Sequence, residues 1–136
     1  MKKLFCVVMS IFLIGCSSKP ITEESGEAVP GSLIVNKEII INKGGMVPVT
    51  FLRDTGPGAA CSHTIYVNGV KAFYIQDGQY ITIYLSNGPH FFRLTSGNGL
   101  CPNIDISQQT IIANNEQKFR IMFQSNSGTI NLIRFQ

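Results

Sequence analysis

From Ala28 onward, apolar residues recur mostly at every second position, in short runs broken by Gly, Asn, Asp and Pro. That is the pattern of half-buried strands separated by turns. It predicts strands over 32–41, 47–53, 63–67, 70–75, 80–85, 90–95, 104–112, 116–124 and 129–135. No stretch of ten or more residues there follows a 3.6-residue period, so helices are not expected. Asn68-Gly69 stands between Thr64-Ile65-Tyr66-Val67 and Val70-Lys71-Ala72-Phe73. This pair tolerates the positive φ of a type I′ turn and predicts a tight hairpin. Asp77-Gly78, Asn87-Gly88-Pro89, Asn114-Asn115 and Ser127-Gly128 mark further reversals. Alternation sets Ile81, Ile83 and Leu85 against Tyr80, Thr82 and Tyr84, and Phe119, Ile121 and Phe123 against Lys118, Arg120, Met122 and Gln124. One face of each strand is core and the other is wet. Eight or nine short strands in so short a chain leave an apolar face bare as one open sheet. The expected fold is therefore all-β, as two packed sheets or a small barrel, with a small antiparallel sandwich the first choice.

The pattern is different at the start. Lys2 and Lys3 precede an apolar run from Leu4 to Ile14, which is short of the ~20 residues that span a bilayer. A charged segment, an apolar segment and then small residues is the order of an export signal. Its end, Leu13-Ile14-Gly15-Cys16, resembles the lipobox of bacterial lipoproteins. The resemblance implies a signal peptide over 1–15, diacylglycerol on the Cys16 thiol, and a mature chain that begins there. In such lipoproteins Asp after the lipidated Cys marks inner-membrane retention, and here the residue is Ser17. The expectation is a Gram-negative outer membrane, with the protein lipid-anchored on the periplasmic side. The polar stretch 16–29 reads as a flexible tether, leaving 30–136 as the sandwich domain.

Removing the signal changes the charge picture. The whole chain carries +3, but without Lys2 and Lys3 nine basic residues face eight acidic ones. No basic cluster remains, so nucleic acid is not expected as a partner. With 44% hydrophobic and 14% charged residues, the composition excludes a disordered acidic tail and a long coiled coil. Of the four cysteines, Cys6 leaves with the signal and Cys16 takes lipid. Cys61 and Cys101 remain, and in an oxidising compartment they are expected to pair as a disulfide. Cys61-Ser62-His63 also has the form of a thiol-catalytic site or of half a metal site, and for a metal only His90 and Cys101 are further candidates, without the paired spacing of a zinc ribbon or finger. Unpaired thiols are the third possibility.

Thr64-Ile-Tyr-Val-Asn-Gly-Val-Lys-Ala-Phe-Tyr-Ile, then Gly78-Gln-Tyr-Ile-Thr-Ile-Tyr-Leu, then Gly88-Pro-His-Phe-Phe-Arg-Leu resembles the PEGA-like modules of small bacterial lipoproteins, over about a quarter of the chain. The last turn departs from that grammar, because Asn87-Gly88-Pro89-His90 inverts the usual Pro-Gly order. The resemblance implies an extracytoplasmic binding or structural module, and the strand count suits an immunoglobulin-like or transthyretin-like sandwich.

Catalytic chemistry has little to stand on. Beyond the tether the acids are Glu38, Asp54, Asp77, Asp105 and Glu116, read as solvated turn and strand positions. No serine sits in a Gly-x-Ser-x-Gly elbow. The glycine-rich loop 54–60 lacks the Lys and helix of a phosphate loop and reads as a flexible connection beside the disulfide. Neither enzyme activity, cofactor nor metal is expected. Tyr66, Tyr80 and Tyr84, with Tyr74, Lys71 and Arg93 nearby, are the candidate surface for a protein or glycan of the envelope. The expected function is a non-enzymatic, membrane-anchored module that binds another envelope component. The alternatives are an inhibitor of lysozyme-type enzymes, although its expected Ser-Gly-x-Arg-Tyr-type motif is missing, a phage or mobile-element exclusion lipoprotein, and a secretion-system lipoprotein.

Overall fold

A computed structural model describes residues 18–96 and 100–136; the expected signal segment, Cys6, Cys16 and Ser17 lie outside the described residues. Among the described residues, the strands are β1 (Glu27–Ala28), β2 (Val47–Arg53), β3 (His63–Val67), β4 (Val70–Ile75), β5 (Gln79–Leu85), β6 (Gly88–Ser96), β7 (Ile104–Ile112), β8 (Gln117–Gln124) and β9 (Thr129–Arg134). They form two sheets, β1-β5-β2-β8-β9 and β4-β3-β6-β7. Pairing is antiparallel apart from β1 with β5 and β2 with β8, which run parallel. The expected small sandwich with one disulfide is what forms. Among the described residues, no helix is long and apolar enough to cross a membrane.

Alternation builds the core. Ile65 and Val67, Ile81 and Ile83, Phe92 and Leu94, and Phe119 and Ile121 all turn inward and are buried. At the centre, Phe51 stacks on Phe119 at 5.4 Å and meets Phe73 and Phe92 edge-on at 5.6 and 5.1 Å. Each such pair adds about 0.5–1.5 kcal/mol beyond the area it buries. The hairpin between β3 and β4 turns as expected, with Asn68 at φ 51° and Gly69 at φ 82°, so both central residues hold the left-handed conformation a type I′ turn requires.

Two expectations are corrected. The stretch 32–41 is not a strand but two 3₁₀ turns, Gly31–Leu33 and Lys37–Ile40. Its apolar residues come in adjacent groups, Leu33-Ile34-Val35 and Ile39-Ile40-Ile41, rather than alternating. Asn36 then caps the second turn by accepting from the Glu38 N–H at 3.2 Å. The stretch 16–29 is not a free tether where it is described. Ser18 Oγ accepts from the Phe123 N–H at 2.9 Å, Lys19 bridges to Thr55, Ile21 and Val29 are buried, and β1 pairs with β5. Ion pairs hold it down: Lys118 binds Glu23 at 2.6 Å, and Arg120 binds both Asp54 and the Ile21 carbonyl. Gly26 permits the approach, since a Cβ there would lie 2.8 Å from Ile21 Cδ1 and 3.1 Å from the Gly78 carbonyl. This segment therefore covers the outer face of the five-stranded sheet, which is why the outward-facing Leu52 is buried at 2% exposure.

Candidate functional site

The four tyrosines do not share one surface. Tyr66 and Tyr74 stand on β3 and β4, whereas Tyr80 and Tyr84 stand on β5 of the other sheet. In each strand they occupy the half-buried positions between buried neighbours, so the two pairs face outward on opposite sides of the sandwich. Alternation identifies the wet face of a strand but not the sheet to which it belongs. What does form is a cluster on the four-stranded sheet. The Arg93 guanidinium lies 5.5 Å from the Tyr66 ring centre, and Lys71 Nζ lies 6.0 Å from Tyr66 and 5.7 Å from Tyr74. Arg93 also makes a two-pronged pair with Asp105 at 2.6 and 2.8 Å, which lowers the Asp105 carboxyl below its ordinary value. On the same outer face Phe91 is 45% and Ile111 67% exposed.

A second site lies at one end of the sandwich, where β2 ends and β3 begins. Cys61 and Cys101 are joined there with their Cα atoms 5.7 Å apart, as expected, so neither sulfur is a thiolate able to hold a metal. Beside the disulfide is a partly open cavity of about 390 Å³, whose lining includes Cys61, His63, Ile104, Ile106, Phe123 and Ile130. His63 occupies the first inward position of β3 and is only 2% exposed, yet neither of its ring nitrogens has a hydrogen-bond partner among the described residues. Burial first, and the charge of Arg53 second, push its pKa down to about 4, so the ring is neutral at pH 7.

Arg53 is the last residue of β2, and the alternation that turns Val47, Val49 and Phe51 inward turns its side chain inward as well. It is 3% exposed, and it donates to the Ile75 carbonyl at 2.9 Å and the Gly58 carbonyl at 2.8 Å. Burial lowers its pKa to about 10, with the Asp77 carboxylate opposing that shift, and the guanidinium stays charged. These bonds, with the Gly56 N–H donating to Asp77 Oδ1 at 3.1 Å, give the glycine-rich loop 54–60 fixed anchors. The cavity is thus a largely apolar slot with the neutral His63 ring in its wall, the ring nitrogens themselves being buried. Sequence reading weighed His63 as a metal ligand or part of a thiol-catalytic site, although its inward register with Ile65 and Val67 was visible.

No protein-family model, curated protein or solved structure matches the chain.

Proposed function

We propose that the protein is a non-enzymatic binding module of the Gram-negative envelope, held by lipid on Cys16 at the periplasmic side of the outer membrane. The address rests on Leu13-Ile14-Gly15-Cys16 behind a charged and apolar leader. Several acyl chains on one Cys make anchoring effectively permanent, since each buried CH₂ contributes about 0.8 kcal/mol.

The observation that carries the binding role is the inequality of the two outer faces. Residues 18–26 cover much of one, while the other presents Tyr66, Tyr74, Phe91 and Ile111 among Lys71 and Arg93. Half-buried tyrosines and an exposed phenylalanine beside cations on a sheet suit a protein or glycan surface, because they offer contact area at little entropy cost.

Two measurements test this. Labelled fatty acid is expected on the wild type and not on Cys16→Ser, and continued labelling of the variant would overturn the anchor. A photo-crosslinking side chain at position 66 is expected to trap one defined envelope component in living cells, and the same group at position 84 is not. Equal trapping at both positions, or none at position 66, would overturn the docking face.

A further inference from the structure

The core is left uncovered at one corner of the sandwich. Ile104 and Ile106 of β7, Phe123 of β8 and Ile130 of β9 turn inward, yet each is only partly buried, because the cavity of about 390 Å³ lies between them. Farther along the same strands the inward positions Ile112, Phe119, Ile121 and Leu132 are closed off, at 6% exposure or less. The volume sits near the lower end of the ~300–1,000 Å³ range of ligand pockets. A slot with so apolar a lining gives water few partners and takes apolar occupants instead.

The described chain begins beside this corner and is tied to it twice. Ser18 Oγ accepts from the Phe123 N–H at 2.9 Å and donates to the Phe123 carbonyl at 3.2 Å. Lys19 pairs with Thr55 through both main-chain groups, at 2.8 and 3.1 Å, just before Pro57 and Gly58 of the cavity lining. Because β2 stops at Arg53, opposite Ile121, Ser18 takes the place beside Phe123 that a longer β2 would fill. Cys16 stands two positions ahead of Ser18, and a two-residue spacer reaches at most about 7 Å. A free tether would carry a lipid away from the domain, whereas this attachment keeps it next to the cavity.

We propose that one acyl chain of the lipid on Cys16 folds back into the cavity, along Ile104, Ile106, Phe123 and Ile130, whenever the domain is off a bilayer. The proposal rests on the lipid-anchor reading. The chain needs little intrinsic affinity, because its attachment gives it an effective concentration on the order of mM. Apolar burial is non-directional, so no polar group in the wall has to meet it.

The test uses the chain from residue 16, which holds every strand of the sandwich. With Cys61 joined to Cys101, Cys16 is its only free thiol. That thiol is alkylated with an octyl chain, or with an ethylene-glycol chain of equal length, and the isoleucine methyl resonances are followed. The octyl chain is expected to shift Ile104, Ile106 and Ile130, independently of protein concentration, and to leave Ile112 at the far end of β7 unmoved. The glycol chain should shift none of them. Neither should an octyl chain placed at exposed position 24, in Glu24→Cys with Cys16→Ser. Ile130→Trp, which fills the slot, should remove the shifts at Ile104 and Ile106 while the far-ultraviolet spectrum is retained. Unmoved methyls in the octyl-Cys16 protein would overturn the proposal. So would equal shifts from position 24 or from the glycol chain, and so would shifts that grow with concentration, which mean capture of a neighbour's chain. In cells, fatty-acid labelling that persists in Cys16→Ser would remove the anchor reading and this proposal together. Labelling confined to Cys16, with unmoved methyls in the octyl protein, would remove this proposal alone.

Discussion

The two ends of the sandwich each bury a histidine, and they treat it in opposite ways. At the end formed by the β3–β4 hairpin, His90 Nε2 donates to the Ser86 carbonyl at 2.8 Å and Nδ1 accepts from Asn68 Nδ2 at 2.9 Å. Asn68 Oδ1 in turn accepts from the Phe91 N–H at 2.9 Å. One turn residue thus meets one ring nitrogen and the strand beside it, and Gln117 Nε2 adds a bond to the Ile111 carbonyl at 3.3 Å, although Gln117 Oε1 has no partner among the described residues. At the other end His63 has neither nitrogen bonded among the described residues, and a disulfide, two arginine–carbonyl bonds and a cavity surround it. The lesson is about partners. A closed end is assembled from polar groups a turn supplies locally, whereas the open end is held by a covalent staple and leaves hydrogen-bonding capacity unspent.

The largest expected effect breaks the staple. Replacing Cys61 and Cys101 together by Ala should lower stability by about 2–5 kcal/mol, the usual cost of removing a native disulfide from a small secreted domain. Hydrogen exchange should locate the loss: amides around Cys61 and β7's first half become exchangeable, while those of Asn68 and Phe91 keep their protection. Uniform loss across both ends would mean that the ends are not energetically separate.

Next comes a paired substitution. His90→Ala strands Asn68 Nδ2 and the Ser86 carbonyl and should cost about 1–3 kcal/mol. His63→Phe strands nothing, fills similar volume, and should be neutral or stabilising, because an unsatisfied polar ring is replaced by an apolar one. Melting curves of the two variants decide it, and a reversal of their order would break the comparison.

That His63 is buried was legible, since it alternates with Ile65 and Val67. That its nitrogens lack partners was not, because this depends on what other strands, such as β7 with Ile106, bring to the ring. Most strands were legible to within a residue or two for the same reason that 32–41 was not. Strict alternation in 79–85 or 117–124 admits one pairing face, while adjacent apolar residues such as Leu33-Ile34 admit a turn. The ordered segment 18–29 was hidden by its polarity. Glu23 and Ser18 look solvated until Lys118 and Phe123, about a hundred positions on, receive them. The tyrosine cluster was half legible, for alternation gives the face of β5 but cannot say that β5 belongs to the other sheet.

The pH dependence sharpens the contrast further. His63 binds its proton at about pH 4 in the folded protein and near pH 6.5 when unfolded. As pH falls below 6.5 the unfolded chain takes up a proton that the folded one refuses, so stability drops, and the loss is complete only once the folded value is passed. Between pH 7 and 5 this single group should remove about 2 kcal/mol. Denaturant midpoints at the two pH values should converge in His63→Phe. An undiminished pH slope in that variant would assign the effect to other groups.

The smallest effect is expected between the ends, at Tyr66. Its ring packs outward under Arg93 and Lys71, and neither contact belongs to the cavity or to the His90 network. Exposed or half-exposed surface substitutions usually change stability within about 0.5 kcal/mol, so Tyr66→Ala should barely move the melting curve. Exchange protection at both ends should also be unchanged, since sites without shared partners act additively. The same substitution should remove most of any docking affinity, because an interface aromatic can carry about 2 kcal/mol or more. If Tyr66→Ala instead lowers stability by as much as His90→Ala, the ring is a cross-strand support that ties the sheet together, and the two ends communicate through it.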